Sequence, residues 1–204
     1  KSFGNYQLGL QSRTGTVDGG GTLSSLEATV ANSKIAFAGV IRDSTYKNLK
    51  VRFKDVNIGD IIPPVDSLQL SGTTNGTLSF LYENGAYFPK SNVTIDDVII
   101  NTIGFGDLIL DIDGNQDLTK YRIASSLTNK NVRSFNALGT IDFAPKVSQL
   151  DLDVRLNDFN LKAISPFGAN VVSKIRGDAS GALQVMGNYK KPKILGTINL
   201  KNSG

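Results

Sequence analysis

Leu49-Lys50-Val51-Arg52-Phe53-Lys54-Asp55-Val56-Asn57-Ile58 returns 103 positions later as Leu152-Asp153-Val154-Arg155-Leu156-Asn157-Asp158-Phe159-Asn160-Leu161. Leu, Val, Arg, Asp and Asn recur in place, and the other apolar residues are exchanged only for apolar ones. Self-similarity at a fixed distance marks a modular chain. Within each copy the residues alternate. Leu49, Val51 and Phe53 oppose Lys50, Arg52 and Lys54, and Leu150, Leu152, Val154 and Leu156 oppose Asp151, Asp153, Arg155 and Asn157. Such a period of two is that of a strand with one apolar and one wet face. The phase slips by one residue before Val56 and Ile58, and again before Phe159 and Leu161. A β-bulge near Asp55 and near Asp158 is therefore predicted in both copies.

Outward from the repeat, the order of segments is the same twice. An irregular stretch follows each copy, Ile61-Ile62-Pro63-Pro64 in one and Ile164-Ser165-Pro166-Phe167 in the other, with room for a short helix or turn around Ala169 to Ser173. Then Gly72 to Leu78 matches Gly177 to Leu183 as G-x-x-x-G-x-L, opening a strand in which Leu78, Phe80 and Tyr82 correspond to Leu183, Val185 and Gly187. A hairpin turn over Gly187 to Pro192 leads to a strand with Ile194, Gly196, Ile198 and Leu200. Its counterpart is a hairpin over Asn84 to Pro89, followed by Val93, Ile95 and Ile99. Further strands are expected around Leu108, Leu110 and Ile112, from Tyr121 to Leu127, from Phe135 to Phe143, and over Ile35 to Ile41. Thr22 to Lys34 places Leu23, Leu26 and Val30 at near-helical spacing, so helix and strand both stay open there. The expected fold is all-β with few or short helices, one continuous fragment over 1–204 in approximate modules 1–101 and 102–204.

Composition agrees. The 204 residues are 40% hydrophobic, enough to fold, and Glu27 and Glu83 are the only glutamates in a chain rich in Gly, Asn, Ser, Thr, Val and Ile. Cysteine and histidine are absent, which excludes disulfides, thiolate or imidazole metal sites, Cys nucleophiles and Ser-His-Asp triads. A net charge of +4 with Lys50, Arg52 and Lys54 on one strand face raises nucleic acid as a partner. The second copy replaces these by Asp153, Arg155 and Asn157, so a solvated outer face is the better reading and no nucleic acid is expected. No apolar run reaches the length of a membrane span, and Lys1 to Asn5 has no signal-peptide core. The chain reads as a piece of a longer protein, any targeting segment or membrane anchor lying upstream.

Single motifs carry little chemistry. Asp111-Ile112-Asp113-Gly114-Asn115-Gln116-Asp117 resembles the start of a calcium loop, but Gln116 stands where glycine is needed and Arg122 where a bidentate Glu is required. A turn between strands fits better. Asn75-Gly76-Thr77 and Asn92-Val93-Thr94 are glycosylation sequons of a kind that chance produces readily, and Gly19-Gly20-Gly21 lacks the Lys-Ser/Thr of a phosphate loop. Asp96 and Asp97, adjacent on a strand, would point to opposite faces and not converge on one bond. Lys190, Lys191 and Lys193 around Pro192 form a basic turn, either an exposed hairpin tip or a headgroup contact. No catalytic residues, no metal ligands and no cofactor are expected, and the chain is not expected to be an enzyme.

The ordered series itself is more specific. The run Ala137-Leu138-Gly139-Thr140-Ile141, Leu150 to Leu161, Pro166-Phe167, Gly177 to Val185, Gly187, Pro192 and Gly196-Thr197-Ile198-Asn199-Leu200 resembles the C-terminal region of the TamB (translocation and assembly module) family and its AsmA-like relatives. Residues 35 to 127 fit more loosely. The resemblance implies an elongated sheet folded lengthwise into a groove, the β-taco of the repeating β-groove proteins. It also implies an inner-membrane anchor outside this fragment, a periplasmic location in a diderm cell envelope, and an outer-membrane barrel partner of the Omp85/TamA type. The implied roles are phospholipid transfer to the outer membrane and outer-membrane biogenesis. Independently, alternating strands without amphipathic helices leave one apolar sheet face that must meet a second sheet or an apolar ligand. The expected groove lining for phospholipid acyl chains is Val51, Phe53, Leu78, Phe80, Leu108, Leu110 and Ile112 in one module, with Leu150, Leu152, Val154, Leu156, Leu183, Val185, Ile194, Ile198 and Leu200 in the other. The alternative is a chaperone or scaffold for barrel assembly, docking through a strand edge. A secreted β-helix adhesin or enzyme is disfavoured because its coils repeat at about 20 to 25 residues.

Overall fold

Each strand pairs with the next one in the chain in the computed structural model, short polar turns closing hairpins such as β5–β6 and β8–β9 while longer connections join β4 to β5 and β10 to β11. The structure describes residues 15–17, 21–30, 33–41, 45–62, 69–162 and 176–202, with side chains described at 35–39 and from 45 onward. The strands are β1 (Gly15–Val17), β2 (Gly21–Val30), β3 (Ser33–Ile41), β4 (Tyr46–Asn57), β5 (Leu70–Glu83), β6 (Ala86–Ile100), β7 (Ile103–Gly114), β8 (Lys120–Asn129), β9 (Val132–Asp142), β10 (Gln149–Asn160), β11 (Asp178–Asn188) and β12 (Lys193–Lys201). They form one 12-stranded sheet whose spatial order is the sequence order. Every neighbouring pair is antiparallel, and β12 does not pair with β1, so the sheet is open. The sheet runs unbroken across the boundary expected between modules, through the β6–β7 pair. The α-helix among the described residues is α1, Ile58–Ile61.

Where helix and strand both stood open for Thr22 to Lys34, Gly21–Val30 and Ser33–Ile41 are strands, β2 and β3, paired with Leu26 opposite Phe37. One expectation needs correction. The β5–β6 hairpin is tighter than Asn84 to Pro89. Asn84 (φ 51°) and Gly85 (φ 81°) form the whole turn, the left-handed pair that suits the strand twist. Pro89 lies inside β6, one residue before the β6–β7 ladder begins at Lys90, so its missing N–H costs that ladder nothing. The segment around Ala169 to Ser173, Pro63-Pro64, Pro166-Phe167 and Gly19-Gly20 fall outside the described residues.

Both expected bulges are present. Pairing shifts between Phe53 and Val56 and between Leu156 and Phe159, where Asp55 (φ 54°) and Asp158 (φ 44°) adopt the left-handed conformation. Asp tolerates that region better than most residues. In each case the bulge N–H is caught by the side chain on the facing strand: Asp55 N donates to Asn75 Oδ1 (2.9 Å), and Asp158 N to Ser180 Oγ (2.8 Å). The device recurs in β6, where Asp97 (φ 53°) donates its N–H to Asp107 Oδ1 (3.0 Å). Asp96 and Asp97 therefore belong to a bulge, where strict alternation of faces does not hold. The retained asparagines also have a shared task. Asn57 Oδ1 accepts from Gly59 N (2.8 Å) to cap α1, and Asn160 Oδ1 accepts from Lys162 N (3.0 Å), so both turn the chain over the same end of the sheet.

That end carries the core. Ile58 and Leu161, which follow the capping asparagines, pack with Val93, Ile95, Val98, Phe105, Leu127, Phe159 and Ala179. The Phe105 and Phe159 rings lie 5.7 Å apart although β7 and β10 are separated by two strands. In a flat sheet that separation would be about 14 Å. The sheet must therefore curl towards its apolar face here. Strand glycines at positive φ permit the curl: at Gly139 (φ 155°) a Cβ would run into the carbonyl of Asp151, and at Gly181 (φ 152°) into that of Thr197. Gly139→Val is expected to destabilise the protein by roughly 3 kcal/mol, combining backbone strain and overpacking, as measured by urea unfolding.

The carboxylate of Asp158 is held below its ordinary pKa by the hydrogen bond and charge of Lys201, and by Ser180. A depressed folded-state pKa means the contribution is complete above the unfolded value near about 3.9 and fades as pH falls through the folded one. Stability curves of the native chain and Asp158→Asn should run parallel above about pH 5 and converge in more acidic solution.

Candidate functional site

The candidate site is the inner apolar face, and it can be read row by row from the strand register. One row runs Phe37, Val51, Leu78, Ser91, Ile112, Ile123, Gly139, Leu152, Val185, Ile194 from β3 to β12. The next, towards the bulges, runs Ile35, Phe53, Gly76, Val93, Leu110, Ser125, Ala137, Val154, Leu183, Gly196. Beyond it lie Val56, Thr74, Ile95, Leu108, Leu127, Phe135, Leu156, Gly181 and Ile198. On the other side stand Leu49, Phe80 and Pro89, and further along Tyr121, Ile141, Leu150 and Gly187. Leu200 completes the set opposite Ala179. Every residue expected from alternation to line the groove thus occupies this one face, and the polar groups in these rows are the small hydroxyls of Ser91, Thr74 and Ser125 and the phenol of Tyr121. From β3 to β12 the face is about 43 Å in contour at the spacing of neighbouring strands.

The face is not uniform along the strands. At the bulge end it is filled and dry: Val56 and Phe159 are 1% and 6% exposed, and Phe135 and Phe105 pack on Phe159. The buried hydroxyl of Thr74 lacks a hydrogen-bond partner among the described residues. In the middle the face opens into a hollow of about 380 Å³ between Leu49, Val51, Leu78, Phe80, Pro89 and Ile112. Leu78 is 40% exposed and Ile194, at the β12 edge, 59%. At the end away from the bulges the lining turns aromatic. Phe80, Tyr82 and Tyr87 pack together with centroids 5.2 and 4.6 Å apart, and Tyr121 meets Phe143 edge-on.

The outer face carries the charges. Lys50, Arg52 and Lys54 are exposed, as are Asp153, Arg155 and Asn157. Arg122 pairs with Asp113 and Asn92 with Asp111, exposed contacts of small energetic weight. A hollow of about 550 Å³ lies there too, with Asn136, Asp153, Arg155 and Gln184 beside exposed Leu138 and Leu195, a lining of mixed character. The calcium-like segment is a turn: Asn115 Oδ1 accepts from the N–H groups of Thr119 and Lys120. Both sequon asparagines lie within strands and hold neighbouring strands through their side chains. The basic turn at Lys190 is a hairpin tip closed by Asn188.

Comparison of the chain with family models, curated proteins and solved structures returned no match.

Sequence reasoning missed Phe105, Leu127, Phe135 and Phe159 as a core and Lys47, Tyr82, Tyr87 and Tyr121 as a rim of the inner face. Alternation gives the side on which a residue stands but not its neighbours two or three strands away. The rim had one legible signal, the recurrence of tyrosine beside predicted turns. Phe159→Ala should cost about 3–5 kcal/mol by chemical denaturation, whereas Leu78→Ala on the open part of the same face should cost under about 1 kcal/mol, because little area is withdrawn from water there.

Proposed function

We propose that this protein is a passive hydrophobic conduit that holds phospholipid acyl chains against its inner face and so moves them between the inner and outer membranes of a diderm envelope. The observation that carries the reading is the row from Phe37 to Ile194, apolar except for the small hydroxyl of Ser91 and half-buried to exposed, on an open sheet with no second sheet among the described residues to cover it. Carrying an acyl chain through water costs about 0.8 kcal/mol per exposed CH₂, a barrier that a continuous apolar wall lowers without chemistry. Aliphatic Leu, Ile and Val dominate the wall, and such side chains suit flexible tails. The resemblance of the repeat to the TamB and AsmA-like proteins supports the same reading. On it, the chain works in the periplasm, between an inner-membrane anchor and an Omp85/TamA-type barrel.

A second reading, a scaffold for barrel assembly, is favoured by one observation. Among the described residues, β12 pairs with β11 alone and presents exposed Ile194 and Leu200 on one face and Leu195 on the other. An unprotected edge of that kind accepts an added strand. Photo-crosslinkers placed along Gly196 to Lys201 would capture protein under the scaffold reading and lipid under the conduit reading.

The delipidated chain incubated with phospholipid should retain it in native mass spectrometry, and Leu152→Arg or Val154→Arg should abolish retention. Absence of bound lipid on the unsubstituted chain overturns the conduit.

A further inference from the structure

In the paired rows of the sheet from β2 to β12, one charged residue stands at an inner-face position. It is Lys47, directly opposite Tyr82, which is opposite Tyr87 in turn. The ammonium lies 5.5 Å from the centre of the Tyr82 ring, and Tyr82 stacks on Tyr87. Both tyrosines and Lys47 are half-buried. The hydroxyls of Tyr82, Tyr87 and Tyr121 make no hydrogen bond to another described residue. All four side chains lie at the end of the face away from the filled core, and the hollow lined by Leu49, Val51, Leu78, Phe80 and Tyr121 separates the two ends. A charge on an otherwise apolar face is costly unless an opposite charge meets it. Among the described residues, the carboxylate next to Tyr82 along the chain, Glu83, stands at an outer-face position opposite Tyr46.

We propose that this corner binds the anionic phosphate headgroup of a phospholipid, Lys47 supplying the charge and the phenols of Tyr82 and Tyr87 supplying hydrogen-bond donors, while the tails lie across the aliphatic hollow, past Tyr121, towards the filled end. The inner face then matches an amphiphile from head to tail. Tyrosine suits such a boundary because its ring lies on apolar atoms while its hydroxyl meets polar ones. Lysine supports the assignment for the same reason, burying its stem along the wall with its ammonium at the lip. The inference rests on the conduit reading and adds to it a fixed orientation and a requirement for negative charge.

The test compares two lipids with identical acyl chains, phosphatidic acid and diacylglycerol, which differ only in the phosphate. The chain is incubated with an equimolar mixture and the bound species are counted by native mass spectrometry. Phosphatidic acid should exceed diacylglycerol by about tenfold or more, the weight of a charge-assisted hydrogen bond. Lys47→Gln should bring the ratio to within about twofold, and Lys47→Arg should keep most of it. Lys50→Gln, three residues on at an outer-face position, should leave it unchanged. Tyr82→Phe with Tyr87→Phe should lower it partway with diacylglycerol retention intact. Equal retention of both lipids by the unsubstituted chain, or equal loss of preference in Lys47→Gln and Lys50→Gln, overturns the headgroup corner and leaves the conduit standing. Retention of neither lipid overturns the conduit itself.

Discussion

The structure depends on register phase. In an antiparallel sheet a slip of one residue sends every side chain to the opposite face, so an apolar face as long as this one exists only if each strand keeps step with both neighbours. The bulges at Asp55, Asp97 and Asp158 are where step would otherwise be lost, because the apolar residues beyond them have changed parity. Each absorbs one residue in a left-handed conformation and satisfies the freed N–H with a side chain from the facing strand. The result is that Val56 and Phe159, out of phase in sequence with Phe53 and Leu156, still face inward in space.

From that constraint the division of the inner face follows. The bulged ends, bent inward and followed by the Asn57 and Asn160 caps, carry Ile58 and Leu161 over the end of the sheet, where they seal a small dry core. The straight parts of the strands have nothing folded over them among the described residues, so the same apolar rows that fill a core at one end stay open a few residues away. Stability and the candidate function thus draw on different lengths of the same strands: the filled end holds the curl, and the open length is left to meet a ligand.

Much of this was legible in the repeat. The alternation in Leu49 to Phe53 and Leu150 to Leu156 identified the apolar side, and the phase slips placed the bulges near Asp55 and Asp158, where they are found. Retention of Asp and Asn in both copies had a local cause in backbone geometry, which the pattern flagged for the aspartates and left unread for the asparagines. Thr22 to Lys34 stayed open in the sequence because apolar spacing in a short window suits either period, and the pairing of β2 with β3 decided for strand. Pro89 misled because proline beside a turn signal reads as part of the turn, whereas here the two-residue Asn84-Gly85 turn had already closed.

By itself the sequence determined the all-β class, the inward set of side chains and the points where phase is reset, since all of these are encoded between residues two to four apart along one strand. Only the tertiary structure decided which residues share a row, that Phe105 of β7 reaches Phe159 of β10, and that Lys47 is the charge set among tyrosines at the lip. The reason is that curl and strand adjacency arise from contacts between residues far apart in the chain, and a period of two carries no record of what stands on the neighbouring strand.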